Sequence, residues 1–334
     1  MAMRLGLRGL ATVACLAGGL LVGAGAETTA AAEPQTQSFE AWLQDLRTEA
    51  AGRGITAKTL DATLTGVQPI PKVLDLDRRQ PEFKLSFEKY MATAASPARM
   101  DKGRRLMATH KALLEAVGRK YGVQPRFIVA LWGIETDFGR VTGGFPVIPA
   151  LATLAYDGRR SKYFRQELMD ALLIVDQGHI AADRMIGSWA GAMGQSQFMP
   201  SSFLKFAEDY DGDGRRDIWG TRADVFASAA NYLAKSGWNA DETWGRAVRL
   251  PKGFDTSLAT FDVHKSLEEW SRLGVRAADG RPLPKKAIRA ALVLAQPGGP
   301  AFLVYGNFET VLKWNRSNLF ALAVGHLADA FAHR

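Results

Sequence analysis

Apolar residues recur at intervals of three and four positions over most of the first third of the chain. Phe39, Trp42, Leu43 and Leu46 show the pattern at its start, and it continues to about Tyr121. This spacing places apolar side chains on one face of an α-helix. The sequence therefore predicts a helical region that begins near Phe39.

The pattern changes twice further along the chain. Helical spacing with glycine-rich turns gives way to short apolar runs bounded by proline and glycine at about 246–310, and helical spacing returns at about 317–331. Short bounded runs are typical of strands in a small antiparallel sheet. We predict a mainly α protein of the α+β class, with a helical core at about 38–245, a β-rich part and a closing helix.

The first residues have the composition of an export signal. Arg4 and Arg8 form a basic start, an apolar stretch follows from Leu10 to Ala24, and Ala24-Gly25-Ala26 is a small-residue cleavage site. We predict a signal peptide at 1–26, a disordered leader at 27–37 and one folded domain at 38–334.

The single cysteine, Cys15, lies inside this segment, so cleavage would leave a chain without cysteine. A lipid anchor on Cys15 is the alternative. Thr12 stands three positions before it, where a lipidated cysteine usually has leucine, and the apolar stretch before Cys15 is short. We favour cleavage near Ala26 and a soluble exported protein.

The charge of the chain adds a constraint on its partners. The net charge is +8, and removal of Arg4 and Arg8 lowers it to +6. A basic surface suits an anionic partner. The chain has no Lys/Arg-rich tract, zinc-ligand spacing or aromatic RNA-binding motif, which argues against nucleic acid.

Glu135 is the first candidate catalytic residue. It lies on the flank of an apolar stripe in the helical segment that begins at Pro125. That stripe consists of Phe127, Leu131, Ile134 and Phe138. Apolar surroundings raise the pKa of a carboxyl group and suit it to donate a proton. Asp137 points to nearly the opposite side and is a poor second carboxylate. On this pattern alone, an inert glutamate at the helix edge is the more common interpretation.

Three separated motifs favour a catalytic role for Glu135. Residues 133–140 are Gly-Ile-Glu-Thr-Asp-Phe-Gly-Arg, residues 191–202 are Gly-Ala-Met-Gly-Gln-Ser-Gln-Phe-Met-Pro-Ser-Ser, and residues 313–317 are Lys-Trp-Asn-Arg-Ser. In this order they resemble the G-x-E-T-x-[WF]-G-R, G-A-M-G-x-x-Q-F-M-P-S-S and [YW]-N-x-S motifs of family B lytic murein transglycosylases. The resemblance extends from about Phe39 to Phe331.

The resemblance implies a lysozyme-like helical catalytic core and a single acid/base glutamate, here Glu135. In this family the glutamate protonates the oxygen between N-acetylmuramic acid and N-acetylglucosamine. It then accepts the proton of the muramic acid C6 hydroxyl, which closes a 1,6-anhydro ring. The usual second carboxylate is absent, and the substrate's N-acetyl group meets the positive charge at the anomeric carbon. No cofactor is required for this chemistry.

The resemblance also implies where the protein works and what it contacts. A periplasmic location fits the predicted export signal, and anionic peptidoglycan glycan strands fit the basic charge. Cell-wall synthesis proteins are the further partners that we expect.

Several residues are assigned to the substrate cleft by matching the motifs. Ser188, Gln197 and Asn315 match polar residues near the reacting sugar, and loop capping is the alternative role of each. The groove lining is expected from Arg159, Arg160, Tyr163, Met193, Trp314 and Phe320. The arginine pair suits substrate carboxylates, and the aromatic and apolar side chains suit sugar faces. Trp314 and Phe320 stand where the family often has tyrosine, so a hydroxyl hydrogen bond is not expected at either position.

Residues 209–220 form an acidic, glycine-rich segment that resembles an EF-hand loop. Its predicted ligands for a structural calcium ion are Asp209, Asp211, Asp213, the backbone carbonyl of Arg215, and Asp217. Gly220 occupies position twelve, where a bidentate acidic ligand is usual, so we expect a weak site. A metal-free turn held by Asx hydrogen bonds is the alternative.

Two other functions fit parts of this sequence. A hydrolytic muramidase would use water in place of the C6 hydroxyl, but the sequence offers no obvious second carboxylate to activate that water. A non-catalytic peptidoglycan-binding protein would have no need of Glu135. The sequence therefore favours the lytic transglycosylase.

Overall fold

A computed structural model describes residues 37–79 and 85–332. The predicted signal peptide, Cys15 and the leader up to residue 36 lie outside these residues. The helices of the described part are α1 Phe39–Gly52, α2 Ala57–Leu64, α3 Pro71–Arg78, α4 Phe87–Ala94, α5 Pro97–Thr109, α6 Lys111–Tyr121, α7 Pro125–Thr136, α8 Val147–Tyr156, α9 Ser161–Asp176, α10 Pro200–Phe206, α11 Arg222–Lys235, α12 Leu267–Arg272, α13 Gly306–Trp314 and α14 Asn318–Ala332.

The strands are short and form two antiparallel sheets. They are β1 Phe145–Pro146, β2 Ile186–Gly187, β3 Gly245–Arg249, β4 Lys265–Ser266, β5 Arg276–Ala277, β6 Arg289–Leu294 and β7 Ala301–Val304. β1 pairs with β2, and the other five form a sheet in the order β4-β6-β7-β3-β5. The predicted α+β class with a small antiparallel sheet is confirmed.

The first helix shows how the apolar spacing becomes a packed face. Trp42, Leu46 and Ala50 recur every four residues and are all buried. The hydroxyl oxygen of Ser38 accepts the Ala41 N–H at 3.2 Å, which caps the start of the helix. The buried face joins a core cluster that contains α8 and α9.

The most deeply buried helix is α7, which carries the first motif. Pro125 occupies its first turn, and every residue from Phe127 to Gly133 is buried. The helix ends at Thr136, before the predicted apolar stripe is complete, because Asp137, Phe138 and Gly139 have φ values of 48°, 60° and 79°. This left-handed turn returns Phe138 to the core, where its ring packs edge-on against Trp132.

The five-stranded sheet separates two apolar layers. Across the β6–β7 register, Val293 pairs with Phe302 and both face the helical core. Their neighbours Leu292 and Leu303 face the opposite layer, together with Trp270 of α12. The alternation of faces along each strand therefore binds the sheet to the helical core on one side and to α12 on the other.

None of the helices within residues 37–79 and 85–332 has the length and apolarity needed to cross a lipid bilayer.

Candidate functional site

The carboxyl group of Glu135 lies in the last turn of α7 and is half-buried. Burial raises the pKa of Glu135 to about 8. The indole N–H of Trp314 donates to Glu135 Oε1 at 2.8 Å and moderates that rise. Among the described residues, no other carboxylate acts on this pKa. The group is therefore mainly protonated at neutral pH.

Trp314 reaches Glu135 from the opposite end of the chain. It is the last residue of α13, and its ring packs against Phe198 and Tyr232 at centroid distances of 5.2 and 4.7 Å. The Tyr232 hydroxyl donates to the Lys313 carbonyl at 2.6 Å, which holds this helix end in place. Trp314 thus makes a polar contact with Glu135, which the predicted role as an apolar wall did not include.

Asp137 is surrounded by cationic side chains and does not interact with Glu135 as a second acid would. Its carboxylate accepts from Arg140 Nε at 2.6 Å, and Lys102 Nζ lies at 3.2 Å and Arg99 Nε at 4.0 Å. Despite partial burial, these hydrogen bonds and charges lower the pKa of Asp137. It remains ionised in a structural cluster, and it is not a second acid for Glu135.

Gln197 lies in the loop that carries the second motif, in a left-handed conformation with φ 48°. Its Nε2 donates to the carbonyls of Thr142 and Gly194 at 3.1 and 2.9 Å. Both amide hydrogens are used, so the amide is held firmly, and Oε1 is the atom left to contact a ligand.

Ser188 and Asn315 have capping contacts. Ser188 is buried, and its hydroxyl oxygen accepts the Ala192 N–H at 3.0 Å. Asn315 is buried after the end of α13, and its Oδ1 accepts the Ser317 N–H at 3.0 Å. The loop-capping role weighed from the sequence is therefore present at both positions.

Arg159 and Arg160 share a buried partner that the sequence did not reveal. Asp77 of α3 accepts from Arg159 Nε at 3.0 Å and from Arg160 Nη2 at 2.5 Å. The Arg160 guanidinium also lies 4.8 Å from the centre of the Phe164 ring. Two cations thus share one carboxylate, which leaves one positive charge in excess.

Tyr163 interacts with a second buried carboxyl group, Glu167. Burial and this carboxylate raise the pKa of Tyr163. Glu167 accepts the Ser201 N–H at 2.9 Å and the Ser201 hydroxyl at 2.7 Å, and burial raises its pKa. The tyrosine is therefore tied to the start of α10.

Met193 and Phe320 differ from the groove-lining role that we expected. Met193 is completely buried between Gly187 and Phe198, to which it is bridged, and Phe320 is 3 % exposed in the core. Apolar side chains at these positions gain more from core packing than from exposure. Both side chains therefore belong to the packed core.

Tyr90 is a neighbour of Glu135 that sequence reasoning missed. It lies on α4 and packs in a small cluster with Ile134, the residue before Glu135. Burial and then the charge of Glu135 raise the pKa of Tyr90 to about 12. No motif covers α4, so only the tertiary structure reveals this neighbour.

The acidic loop folds as a series of Asx turns. Asp209, Asp211 and Asp213 each offer a carboxylate oxygen within 4.8 Å of the others. The Asp209 carboxylate accepts the N–H groups of Gly212 and Gly214 at 2.8 and 2.9 Å. A cluster of three carboxylates at this spacing fits the oxygen ligands that calcium prefers.

The side chains of the other two predicted positions have contacts of their own within the loop. Arg215 turns its guanidinium to Asp213 at 2.8 Å, although its backbone carbonyl was the predicted ligand. Asp217 accepts the N–H groups of Trp219 and Gly220 at 2.9 Å each. Asp217 is therefore occupied in closing the loop onto α11.

Asp224 supplies a further carboxylate beside the loop. It is fully buried and accepts the N–H groups of Tyr210 and Asp217 at 2.8 and 2.7 Å. Burial, together with the charges of Asp211 and Asp209, raises the pKa of Asp224 to about 6. It lies outside the twelve-residue pattern, so the search for a position-twelve ligand did not find it.

Comparisons with known proteins identify the family of this chain. The family model described as "Transglycosylase SLT domain" matches residues 38–329. Membrane-bound lytic murein transglycosylase B of Escherichia coli (strain K12) is 33% identical over 252 residues, which is 73% of this chain and 67% of that protein.

Solved structures show the same fold. SltB3 from Pseudomonas aeruginosa in complex with NAG-NAM-pentapeptide is 47% identical, with a TM-score of 0.87, over 89% of this chain and 80% of that chain. The Escherichia coli lytic transglycosylase Slt35 in complex with calcium is 29% identical, with a TM-score of 0.72, over 87% of this chain and 92% of that chain. The family match covers nearly all the described residues, and this chain therefore belongs to the family B lytic murein transglycosylases, with a lysozyme-like fold.

Proposed function

We propose that Glu135 is the single acid/base of this transglycosylase and that the reaction ends in a 1,6-anhydro-N-acetylmuramic acid. The observation that carries the proposal is the raised pKa of Glu135, about 8, with no second carboxylate acting on it among the described residues. A neutral carboxyl at neutral pH is a proton donor, and one whose pKa lies near the working pH serves as donor and acceptor in turn.

The steps balance without water. Glu135 gives its proton to the oxygen that links N-acetylmuramic acid to N-acetylglucosamine, and the bond from that oxygen to the anomeric carbon breaks. The N-acetyl oxygen of the substrate meets the positive charge at the anomeric carbon. The C6 hydroxyl then attacks that carbon, displaces the N-acetyl oxygen and gives its proton to ionised Glu135. The enzyme returns to its starting state.

Polar groups around Glu135 fit the binding of a sugar. The Gln197 amide is fixed by two carbonyls and presents Oε1. The Trp314 indole fixes one oxygen of Glu135 and leaves Oε2 as the atom that exchanges a proton with substrate. In our proposal Ser188 and Asn315 contact the sugar while they cap their loops.

The excess positive charge of Arg159 and Arg160 favours substrate carboxylates. SltB3 was solved with NAG-NAM-pentapeptide, whose peptide carries such groups. We therefore place the lactyl or stem-peptide side of the glycan strand near this pair and Tyr163.

Hydrolysis is the alternative outcome on the same scaffold. Mass spectrometry of products formed from purified peptidoglycan in H₂¹⁸O distinguishes the two routes. We expect 1,6-anhydro muropeptides without ¹⁸O from the wild-type protein and from a Glu115→Gln control, since Glu115 lies on α6 with a side chain that is 43% exposed. We expect no products from Glu135→Gln. Reducing ends that carry one ¹⁸O would show hydrolysis and overturn the proposed route.

We also propose that the acidic loop binds a structural calcium ion, as a calcium complex of Slt35 suggests. Asp209, Asp211 and Asp213 would supply the main oxygen ligands. We expect added Ca²⁺ to raise the Tm of the wild-type protein and of an exposed Asp241→Asn control, and to leave Asp211→Asn nearly unchanged. An equal rise in all three would mean that the loop is not the site.

The proposed location is the periplasm, reached by cleavage near Ala26. N-terminal sequencing of the exported protein tests this proposal. A start near Glu27 supports it, and a chain that begins at a lipidated Cys15 would replace it with the anchored form.

A further inference from the structure

Gln195 is a buried amide at the junction of three parts of the fold. It is 3 % exposed, in the loop that also carries Gln197. Its Oε1 accepts the indole N–H of Trp132 at 2.8 Å and an N–H of Arg222 at 2.5 Å. Its Nε2 donates to the carbonyl of Trp219 at 2.6 Å. One side chain thus joins α7, the first turn of α11 and the end of the acidic loop.

The chemistry of these partners determines the orientation of the amide. Trp132 and Arg222 offer only donors, and the Trp219 carbonyl can only accept. A flipped amide would lose all three hydrogen bonds. The position therefore requires an acceptor on one side and a donor on the other, and an apolar residue of similar size satisfies neither requirement.

The backbone of Gln195 contacts the same turn of α7. The Thr136 hydroxyl lies 3.1 Å from the Gln195 carbonyl oxygen, and the Gln195 N–H donates to the Ile218 carbonyl at 2.8 Å. Trp132 and Thr136 are four residues apart and therefore lie on one face of the helix. Glu135 lies between them in the chain, so Gln195 holds both ends of the turn that carries the acid.

The turn that follows Glu135 is packed on the same amide. Gly139 has φ 79°, and a Cβ atom at this position would overlap Gln195 Oε1. Only glycine combines this left-handed backbone with such a close approach. The left-handed turn after α7 is thus shaped to fit against Gln195.

We propose that Gln195 is a positioning residue for the transglycosylase reaction, which holds the Glu135 turn of α7 in place relative to the loop that carries Gln197. Gln195 acts through its neighbours, and the proposal rests on the role of Glu135 given above. The second motif leaves this position open, as the first of its two unspecified residues.

Loss of the Gln195 amide should lower kcat more than it changes KM. Without it, the Trp132 indole and the Arg222 guanidinium lose an acceptor in a buried place, and both elements must shift to find another. A displacement of about 1 Å near reacting groups costs about 100-fold in rate.

Steady-state kinetics on solubilised peptidoglycan tests the proposal with Gln195→Leu, Gln195→Glu and a Gln166→Leu control. Gln166 is an exposed glutamine of α9 that bonds Arg53 and Asp170. We expect Gln195→Leu to lower kcat by about tenfold to 100-fold, with a much smaller change in KM and a displaced alkaline limb of the pH–rate profile. Gln195→Glu keeps acceptor oxygens for Trp132 and Arg222 and should recover part of kcat. Gln166→Leu should match the wild-type protein.

A folded Gln195→Leu protein with wild-type kcat and pH–rate profile overturns the proposal, even where its Tm is lower. Where that variant does not fold, Trp132→Phe replaces it, because this change removes the indole N–H and keeps an aromatic ring. A fall in kcat with KM retained then supports the proposal, and unchanged kinetics overturns it. Glu135→Gln is included in the same assay to separate the role of Glu135 from that of Gln195. Activity in Glu135→Gln contradicts the proposed acid/base role itself, whereas wild-type kinetics in Gln195→Leu contradicts only the positioning role.

Discussion

Glu135 combines partial solvent access with surroundings that disfavour its charge. Burial raises the pKa of Glu135 to about 8, whereas the hydrogen bonds and charges of Arg140 and Lys102 lower the pKa of the neighbouring Asp137. In the proposed reaction the protonated form of Glu135 acts first, so activity should be lost as pH rises through this pKa. We predict that kcat/KM falls above about pH 8, and pH–rate profiles on soluble glycan fragments measure it. An alkaline limb near the ordinary carboxyl pKa would contradict the assignment.

Trp314 tunes the same group through one hydrogen bond. The indole N–H stabilises the ionised carboxylate and therefore lowers the pKa of Glu135. Trp314→Phe should lower kcat about tenfold and move the alkaline limb to higher pH. Trp314→Tyr returns a donor and should reverse part of both effects. Identical pH–rate profiles in all three proteins would show that the hydrogen bond has no role in the reaction.

At the scale of elements, Asp77 joins α3 to the segment that carries the arginine pair. Its two carboxylate oxygens bond Arg159 and Arg160 across more than eighty residues of chain. The buried carboxylate and its partly exposed partners form one unit that joins the two segments and lowers the net charge of the arginine pair.

Asp77→Asn should lower the free energy of unfolding by about 2 kcal/mol, because two guanidinium groups lose their counter-charge. Partial exposure of the arginines keeps this figure below that of a fully buried pair. KM should rise as the arginines move. Urea unfolding and kinetics measure both effects. Asp75→Asn is the control on the exposed face of the same helix, and an equal loss of stability there would contradict the role of Asp77.

The elements themselves follow largely from sequence because their signals are local. Pro125 begins α7, and the bounded apolar runs became β6 and β7. The end of α7 was not foreseen, because a left-handed turn at Asp137 and Phe138 depends on packing and cations contributed by α5. The apolar spacing in the sequence continues beyond Thr136, so it does not show where tertiary contacts end the helix.

At the scale of the whole molecule, the motifs predict Glu135 and Gln197 as site residues but not the contacts that surround them. Trp314 lies 179 positions from Glu135, and the Asp77, Tyr90 and Asp224 contacts fall outside every motif. Sequence motifs predict candidate catalytic residues. Which groups surround and tune them depends on the packing of distant segments.

The pKa of Glu135 also bears on the stability of the whole fold. The raised pKa means that Glu135 binds its proton more tightly in the native protein than in the unfolded chain. Proton binding by Glu135 therefore adds to the free energy of unfolding at low pH, and this addition is lost as pH rises from the ordinary carboxyl pKa towards 8. Glu135→Gln lacks this titration. The variant should become progressively more stable than the wild-type protein between pH 5 and pH 8, by up to about 1.4 kcal/mol per pH unit. Urea unfolding of both proteins across this range measures the difference, and a constant difference would show that Glu135 titrates normally.

The most direct test of the account is the titration of Glu135 itself in the resting enzyme. Carbon-13 NMR of protein labelled at the glutamate carboxyl carbon, with Glu135→Gln to assign the signal, reports this pKa without substrate. The account predicts a single carboxyl that titrates near pH 8 and is absent from the variant. A Glu135 signal that titrates near the ordinary carboxyl pKa would contradict it, because the resting enzyme would then lack its proton donor at neutral pH.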